Sequence, residues 1–143
     1  MTKKATLQLD GVMRLVGTNE TGLTTAFDVS PEHGGQNTAA SPMEVFLQSA
    51  AACSGMDILS IIRKKRKTVG NLRIEIEGER AEEHPHVYTS IQVHYILTSP
   101  DASEADMHRA CELSQDQYCS AFAMIKRSGC AVTWKSTVER PTA

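Results

Sequence analysis

The sequence predicts an α+β fold, because three short strands precede one long proline-free helix and an alternating strand pair follows it, before shorter helices and a last strand. The 143 residues suit one domain over 1–143, with a single hydrophobic core.

The first strands are expected at 5–9, 12–16 and 23–29. Asp10-Gly11 supplies a hairpin turn between the first two, and residues 18–22 supply the next. Residues 30–40 are rich in Gly, Pro, Asn and Ser and read as a loop. A helix then starts sharply, with Ser41 as N-cap, Pro42 at N1 and Glu44 at N3, the pattern of a capping box. It is expected to run through Lys67 and to span about 36 Å at 1.5 Å per residue. Its apolar positions, Phe46, Leu47, Ala50, Ile58, Leu59, Ile61 and Ile62, lie nearly all round it. Such a helix belongs in a core or at a subunit interface, and a symmetric dimer burying two together would cover both.

Val69 and Gly70 reset the pattern. Residues 71–82 put Leu72, Ile74 and Ile76 on one face, and 87–98 put Ile91, Val93 and Tyr95 on one face, giving a long half-buried hairpin turned at His84-Pro85-His86. Ser103 with Asp106 predicts the cap of a second helix, whose stripe is Met107, Ala110, Cys111 and Leu113. A short helix over 119–126 and a strand over 130–138 complete the chain.

The net charge of −2 offers no field for nucleic acid. The basic run from Arg63 to Lys67 fits a solvated helix C-terminus, where cations complement the dipole. The N-terminus lacks the apolar core of a signal segment, and no apolar run is read as approaching the ~20 residues of a membrane span. A cytoplasmic protein is therefore expected, and free cysteines suit that compartment.

Four cysteines stand at 53, 111, 119 and 130, with no CxxC among them. Cys53 lies in the small-residue run Ala50-Ala51-Ala52-Cys53-Ser54-Gly55, and Phe46, Ser49, Ala50, Met56, Asp57 and Ser60 share its helical face. A small buried cysteine filling space is the plain reading. A reactive one must overcome a mid-helix position and the nearby Asp57 carboxylate, so it needs a cation from elsewhere in the fold. Cys119 stands near a helix start, where the dipole favours a thiolate. Cys111 and Cys119 would be separated by ~12 Å of rise on a continuous helix, too far for a disulfide. Cys130 reads as core. His84 and His86 read as solvated turn residues, His94 as exposed, and His33 as a loop residue. No metal, cofactor or Ser/His/Asp pattern is indicated.

Ser41-Pro42-Met43-Glu44, then Ala51-Ala52-Cys53 with Cys53 eleven residues after Pro42, resembles the OsmC/Ohr peroxide-resistance family. So does the later run from Arg109 to Ser114 with Tyr118-Cys119-Ser120. Cys53-Ser54-Gly55-Met56-Asp57-Ile58 brings the likeness nearest the YhfA-like branch. The resemblance implies an intertwined homodimer, with antiparallel sheets wrapped around two long central helices. It implies thiol-dependent reduction of organic hydroperoxides, with Cys53 attacking, Cys119 resolving, and an external dithiol recycling the pair. It calls for no cofactor. Phe46 and Met56 would give the substrate an apolar pocket.

The family's carboxylate after the helix-initial proline is replaced here by Met43. Glu44 is rotated ~100° away and reads as a cap only. Asp57 is the substitute carboxylate. Arg14, expected in an early strand, is the first choice of activating cation and Arg80 the second. Two other readings of the same pattern are a non-catalytic dimer that binds a small apolar ligand, and a thiol-exchange protein.

Overall fold

The computed structural model describes residues 1–142, which fall into two compact units, one of Met1–Phe46 and one that begins at Leu47. In the first, β1 (Ala5–Leu9), β2 (Leu15–Asn19) and β3 (Thr24–Phe27) form an antiparallel sheet in chain order. The register sets Leu7 opposite Gly17, and Leu9 opposite Leu15, itself opposite Phe27. Side chains alternate along each strand, so Leu7, Leu9, Leu15 and Phe27 share one face. All of β1 is exposed, Leu9 by 60%.

The second strand begins at Leu15, three residues later than predicted. The Asp10 amide bonds the Arg14 carbonyl at 2.8 Å, and Gly11 takes φ 117°, so the hairpin turn is longer than a two-residue one. Arg14 therefore lies in the turn, not in a strand. The next turn is held by Asn19, whose Oδ1 accepts the Thr21 and Leu23 amides.

Helix α1 (Pro42–Lys64) begins as expected. Ser41 Oγ donates to Glu44 Oε1 at 2.8 Å and accepts the Glu44 amide at 3.4 Å. It stops three residues early because Arg66 turns left-handed at φ 60° and the Lys67 amide reaches back to the Ile62 carbonyl. Only one stripe of α1 is buried: Ala50, Ala51, Ser54, Gly55, Ile58 and Ile62. The all-round burial read from composition is not met within one chain, where Met56 is 70% exposed. The membrane reading also needs correction. These 23 residues are long and apolar enough to cross a bilayer, with an 18-residue window of mean hydropathy 1.6, because alanine, serine and glycine replace charges there. Core helices of water-soluble proteins pass the same test.

The second unit packs most of α1, α2 (Glu104–Leu113) and α3 (Ser120–Arg127) with a sheet ordered β4 (Asn71–Arg80), β5 (Tyr88–Thr98), β6 (Ala131–Glu139). Its core joins Ile58 and Ile62 to Ile91, Val93, Tyr95 and Leu97 of β5, Met107 of α2, and Phe122 and Ile125 of α3. The β4–β5 hairpin keeps the predicted faces. Beta6, however, runs parallel to β5, so this sheet is mixed, not antiparallel. The intervening helices form the crossover that a parallel neighbour requires, and a period-two pattern is blind to strand direction. The Ser103–Asp106 capping box forms in both directions. His94 is half-buried, its Nε2 2.8 Å from Thr137 Oγ1, because β6 places Thr137 beside it.

At Gly55, α1 lies close against the sheet: a Cβ there would stand 2.7 Å from Ile74 Cδ1. Gly55→Val should lower stability by about 1–3 kcal/mol through overpacking, measured by urea unfolding.

Candidate functional site

The fold brings Cys53 and Cys119 together. Cys53 faces the second unit's core from the middle of α1, half-buried. Cys119 is the N-cap of α3, where its Sγ accepts the Phe122 amide at 3.4 Å. Cys53 lies near enough to act on the Cys119 thiol. Burial pushes the Cys119 thiol up to about 11, with Cys53 beside it adding to the rise. The expected help from the helix dipole is thus outweighed by desolvation. Burial alone holds Cys111 up to about 12 and also raises Cys130. All four cysteines are free thiols.

What places Cys119 is a single turn of π-helix, Ser114–Tyr118, inserted between α2 and α3. The Cys119 amide donates across it to the Ser114 carbonyl at 2.8 Å. The Ser114 side chain points the other way, onto α1. Its Oγ lies 2.7 Å from Ser54 Oγ and donates to Asp57 Oδ2 at 2.9 Å. Ser54 Oγ is also 2.7 Å from Tyr95 Oη, which accepts from Gln115 Nε2 at 2.6 Å. Lys126 of α3 donates its Nζ to the Gln115 carbonyl at 2.7 Å.

Each hydroxyl has one proton, which fixes the direction of this chain. Ser114 gives its proton to Asp57, so Ser54 donates to Ser114 and Tyr95 donates to Ser54. Gln115 then starts the series. Burial pushes the Tyr95 phenol up to about 12, against its hydrogen bonds to Ser54 and Gln115, so it stays a neutral donor. Asp57, expected to stand in for the family carboxylate beside the thiol, accepts from Ser114 and terminates this chain. Gln115, only 3% exposed, leaves its Oε1 unpartnered, alone among the described buried side-chain polar atoms. Such an atom costs about 1–3 kcal/mol, so an amide is kept here for what its other end does. Ser54, Tyr95, Ser114 and Gln115 were not singled out by sequence reasoning. The available signal was polar atoms at buried positions: Ser54 beside Cys53, and Tyr95 in the apolar phase of β5.

The other expected residues are distributed as follows. Arg14 Nη1 donates to Thr38 O and Oγ1, both at 3.2 Å, and its Nε lies 3.4 Å from Asp10 Oδ2. Thr38 is held by Asp28, whose Oδ2 accepts both its amide (3.0 Å) and its hydroxyl (2.6 Å). The Thr38 hydroxyl, then the Thr38 and Val29 amides, hold the Asp28 carboxyl down to about 2. Arg80 donates its Nε to the His86 carbonyl at 2.8 Å and lies 6.0 Å from the Tyr88 ring centroid. Phe46 and Met56 are both exposed on α1. His84 and His86 lie in the predicted turn, with rings 4.1 Å apart, and no metal-binding group of three ligands occurs among the described residues. A polar groove on the sheet, lined by Glu75, Gln92, His94, Thr133 and Lys135 among others, includes neither thiol.

Residues 34–135 match the family model described as OsmC-like protein. The chain is 39% identical over 90 residues to Protein YhfA of Escherichia coli strain K12, covering 63% of this chain and 67% of that protein. Among solved structures, a hypothetical protein from Aquifex aeolicus VF5 is 29% identical with TM-score 0.81, over 97% of this chain and 98% of that one. A structure from Legionella pneumophila, described as an organic hydroperoxide resistance protein OsmC and predicted redox protein, shares the fold at TM-score 0.67 and 17% identity, over 97% of each chain.

Two measurements follow from the geometry. Brief alkylation at neutral pH, mapped by mass spectrometry, should label the half-buried Cys53 well ahead of Cys111, Cys119 and Cys130. Asp28 is depressed, so its contribution is complete above its ordinary value of 3.8 and disappears as pH falls toward about 2. Hydrogen-exchange protection of the Thr38 and Val29 amides should fall over that window, and Asp28→Asn should show the loss at neutral pH.

Proposed function

The chain belongs to the OsmC-like protein family, and from that premise we propose that it is a thiol-dependent hydroperoxide reductase that works as a homodimer, with Cys53 peroxidatic and Cys119 resolving. The observation that carries this reading is the pairing of two thiols from distant parts of the chain, one half-buried and one buried. The Cys53 thiolate attacks the terminal oxygen of the hydroperoxide. An S–O bond forms, the O–O bond breaks, and the alkoxide takes a proton to leave as the alcohol. Cys53 is then a sulfenic acid. Cys119 attacks that sulfur, the S–S bond forms, and the sulfenic hydroxyl leaves with the Cys119 proton as water. An external dithiol returns two electrons and two protons.

Burial suits Cys119 to the second step. It keeps its proton at neutral pH and later supplies that proton for water. Arg14 is the proposed activating cation, fixed by the Asp28–Thr38 tie. The exposed Phe46 and Met56 supply apolar surface for an organic hydroperoxide, the class in the name of the Legionella protein. Members of the OsmC/Ohr family are typically dimeric. The exposed leucine face of the first sheet and the exposed side of α1 support a second copy as their cover. Free thiols support a cytoplasmic setting.

The test follows consumption of cumene hydroperoxide and hydrogen peroxide with dithiothreitol as reductant. Wild type should favour the organic peroxide, and Cys53→Ser should lose at least ~100-fold. Cys119→Ser should accumulate a Cys53 sulfenic acid that dimedone traps. Unchanged turnover in Cys53→Ser would remove the assignment.

A further inference from the structure

The buried hydrogen-bond chain beneath the thiols runs from Gln115 through Tyr95, Ser54 and Ser114 to Asp57, and one member links it to both thiol segments. Ser114 touches both sides of the thiol pair. Its carbonyl holds the Cys119 backbone at 2.8 Å, and its hydroxyl holds Ser54, the residue after Cys53. The π-turn is tied at three further points: Asp57 on α1, Tyr95 on β5 and Lys126 on α3. Ser54, Tyr95 and Ser114 are fully buried, so water cannot replace these bonds. One-turn π-helices are uncommon and concentrate at functional sites, where an extra residue re-aims the chain.

We propose that Ser114, Tyr95 and Gln115 are positioning residues, forming a clamp that fixes the π-turn against α1 and so sets the reach of the Cys119 thiol to Cys53. This deepens the dithiol reading and rests on it. The clamp acts on geometry, not on the peroxide. It raises the effective concentration of one thiol toward the other, and so both the rate and the equilibrium of ring closure. The reaction it governs is an exchange with any disulfide. Two thiols give up two protons and two electrons, one S–S bond forms in the protein, and one glutathione disulfide becomes two glutathiones.

That exchange tests the clamp without a hydroperoxide. The full-length protein is equilibrated in glutathione buffers of graded ratio, quenched by alkylation, and the Cys53–Cys119 disulfide is quantified by mass spectrometry. Ser114→Ala removes the hydroxyl but leaves the carbonyl bond to Cys119. Tyr95→Phe keeps the ring and removes only Oη. Each should lower the dithiol's effective concentration about tenfold, the effect of losing one or two buried hydrogen bonds. Ile58→Val, a core truncation without a polar tie, should leave it at the wild-type value. The two polar variants matching wild type, or Ile58→Val falling as far as they do, overturns the clamp alone. A wild type that forms no Cys53–Cys119 disulfide in any buffer overturns the dithiol reading and the clamp together.

Discussion

Everything at the thiol pair depends on how the chain passes from α2 into α3. A plain α-helical continuation past Leu113 would carry Cys119 round the helix axis at about 100° per residue. The π-turn instead spends one extra residue, caps the Cys119 amide with the Ser114 carbonyl, and restarts as α3 with Cys119 at its N-cap. Alpha3 then directs Phe122 and Ile125 into the core, which fixes its rotation. Cys119 is held from behind by packing and from below by hydrogen bonds.

The chemistry of that support is informative. A core of leucines in place of Ser54, Ser114, Tyr95 and Gln115 would avoid desolvating several polar groups and would leave no orphan oxygen. Removing only one partner, by contrast, strands the rest, at about 1–3 kcal/mol for each buried group left unpaired. The arrangement is therefore all-or-none, and it specifies one geometry more sharply than apolar packing, which tolerates sliding. Asp57 gives the chain its direction, because it accepts and cannot relay unless protonated.

Much of this was legible in the sequence, for identifiable reasons. Local hydrogen bonding set the Ser103–Asp106 cap and the start of α1 at Ser41, and side-chain period set the faces of β4 and β5. The thiol pair was legible only through family likeness, since Cys53 in a run of small residues reads equally as filler. Three features were not legible. The direction of β6 depends on the crossover, which leaves no trace in an alternating strand. Where β2 starts depends on a backbone bond from Asp10 to Arg14. The π-turn depends on tertiary ties from Ser114 and Gln115 to α1, β5 and α3, and those two residues have no local pattern that announces it.

The exposed side of the first unit bears on the cation. A three-stranded sheet with Leu7, Leu9 and Leu15 open to water is marginal alone, because a sheet needs something packed on its apolar face. Arg14 stands in the turn of that sheet, braced by Thr38 and Asp28, and paired with the exposed Asp10. An exposed pair of that kind contributes little and is easily exchanged. Its bonds to Thr38 hold the guanidinium in place, while the weak pairing with Asp10 leaves it able to meet a better anion. Covering the leucine face with a second copy would fix the whole sheet, and with it the position of Arg14. In the proposed homodimer, the surface that drives association is then also what orders the turn that carries Arg14.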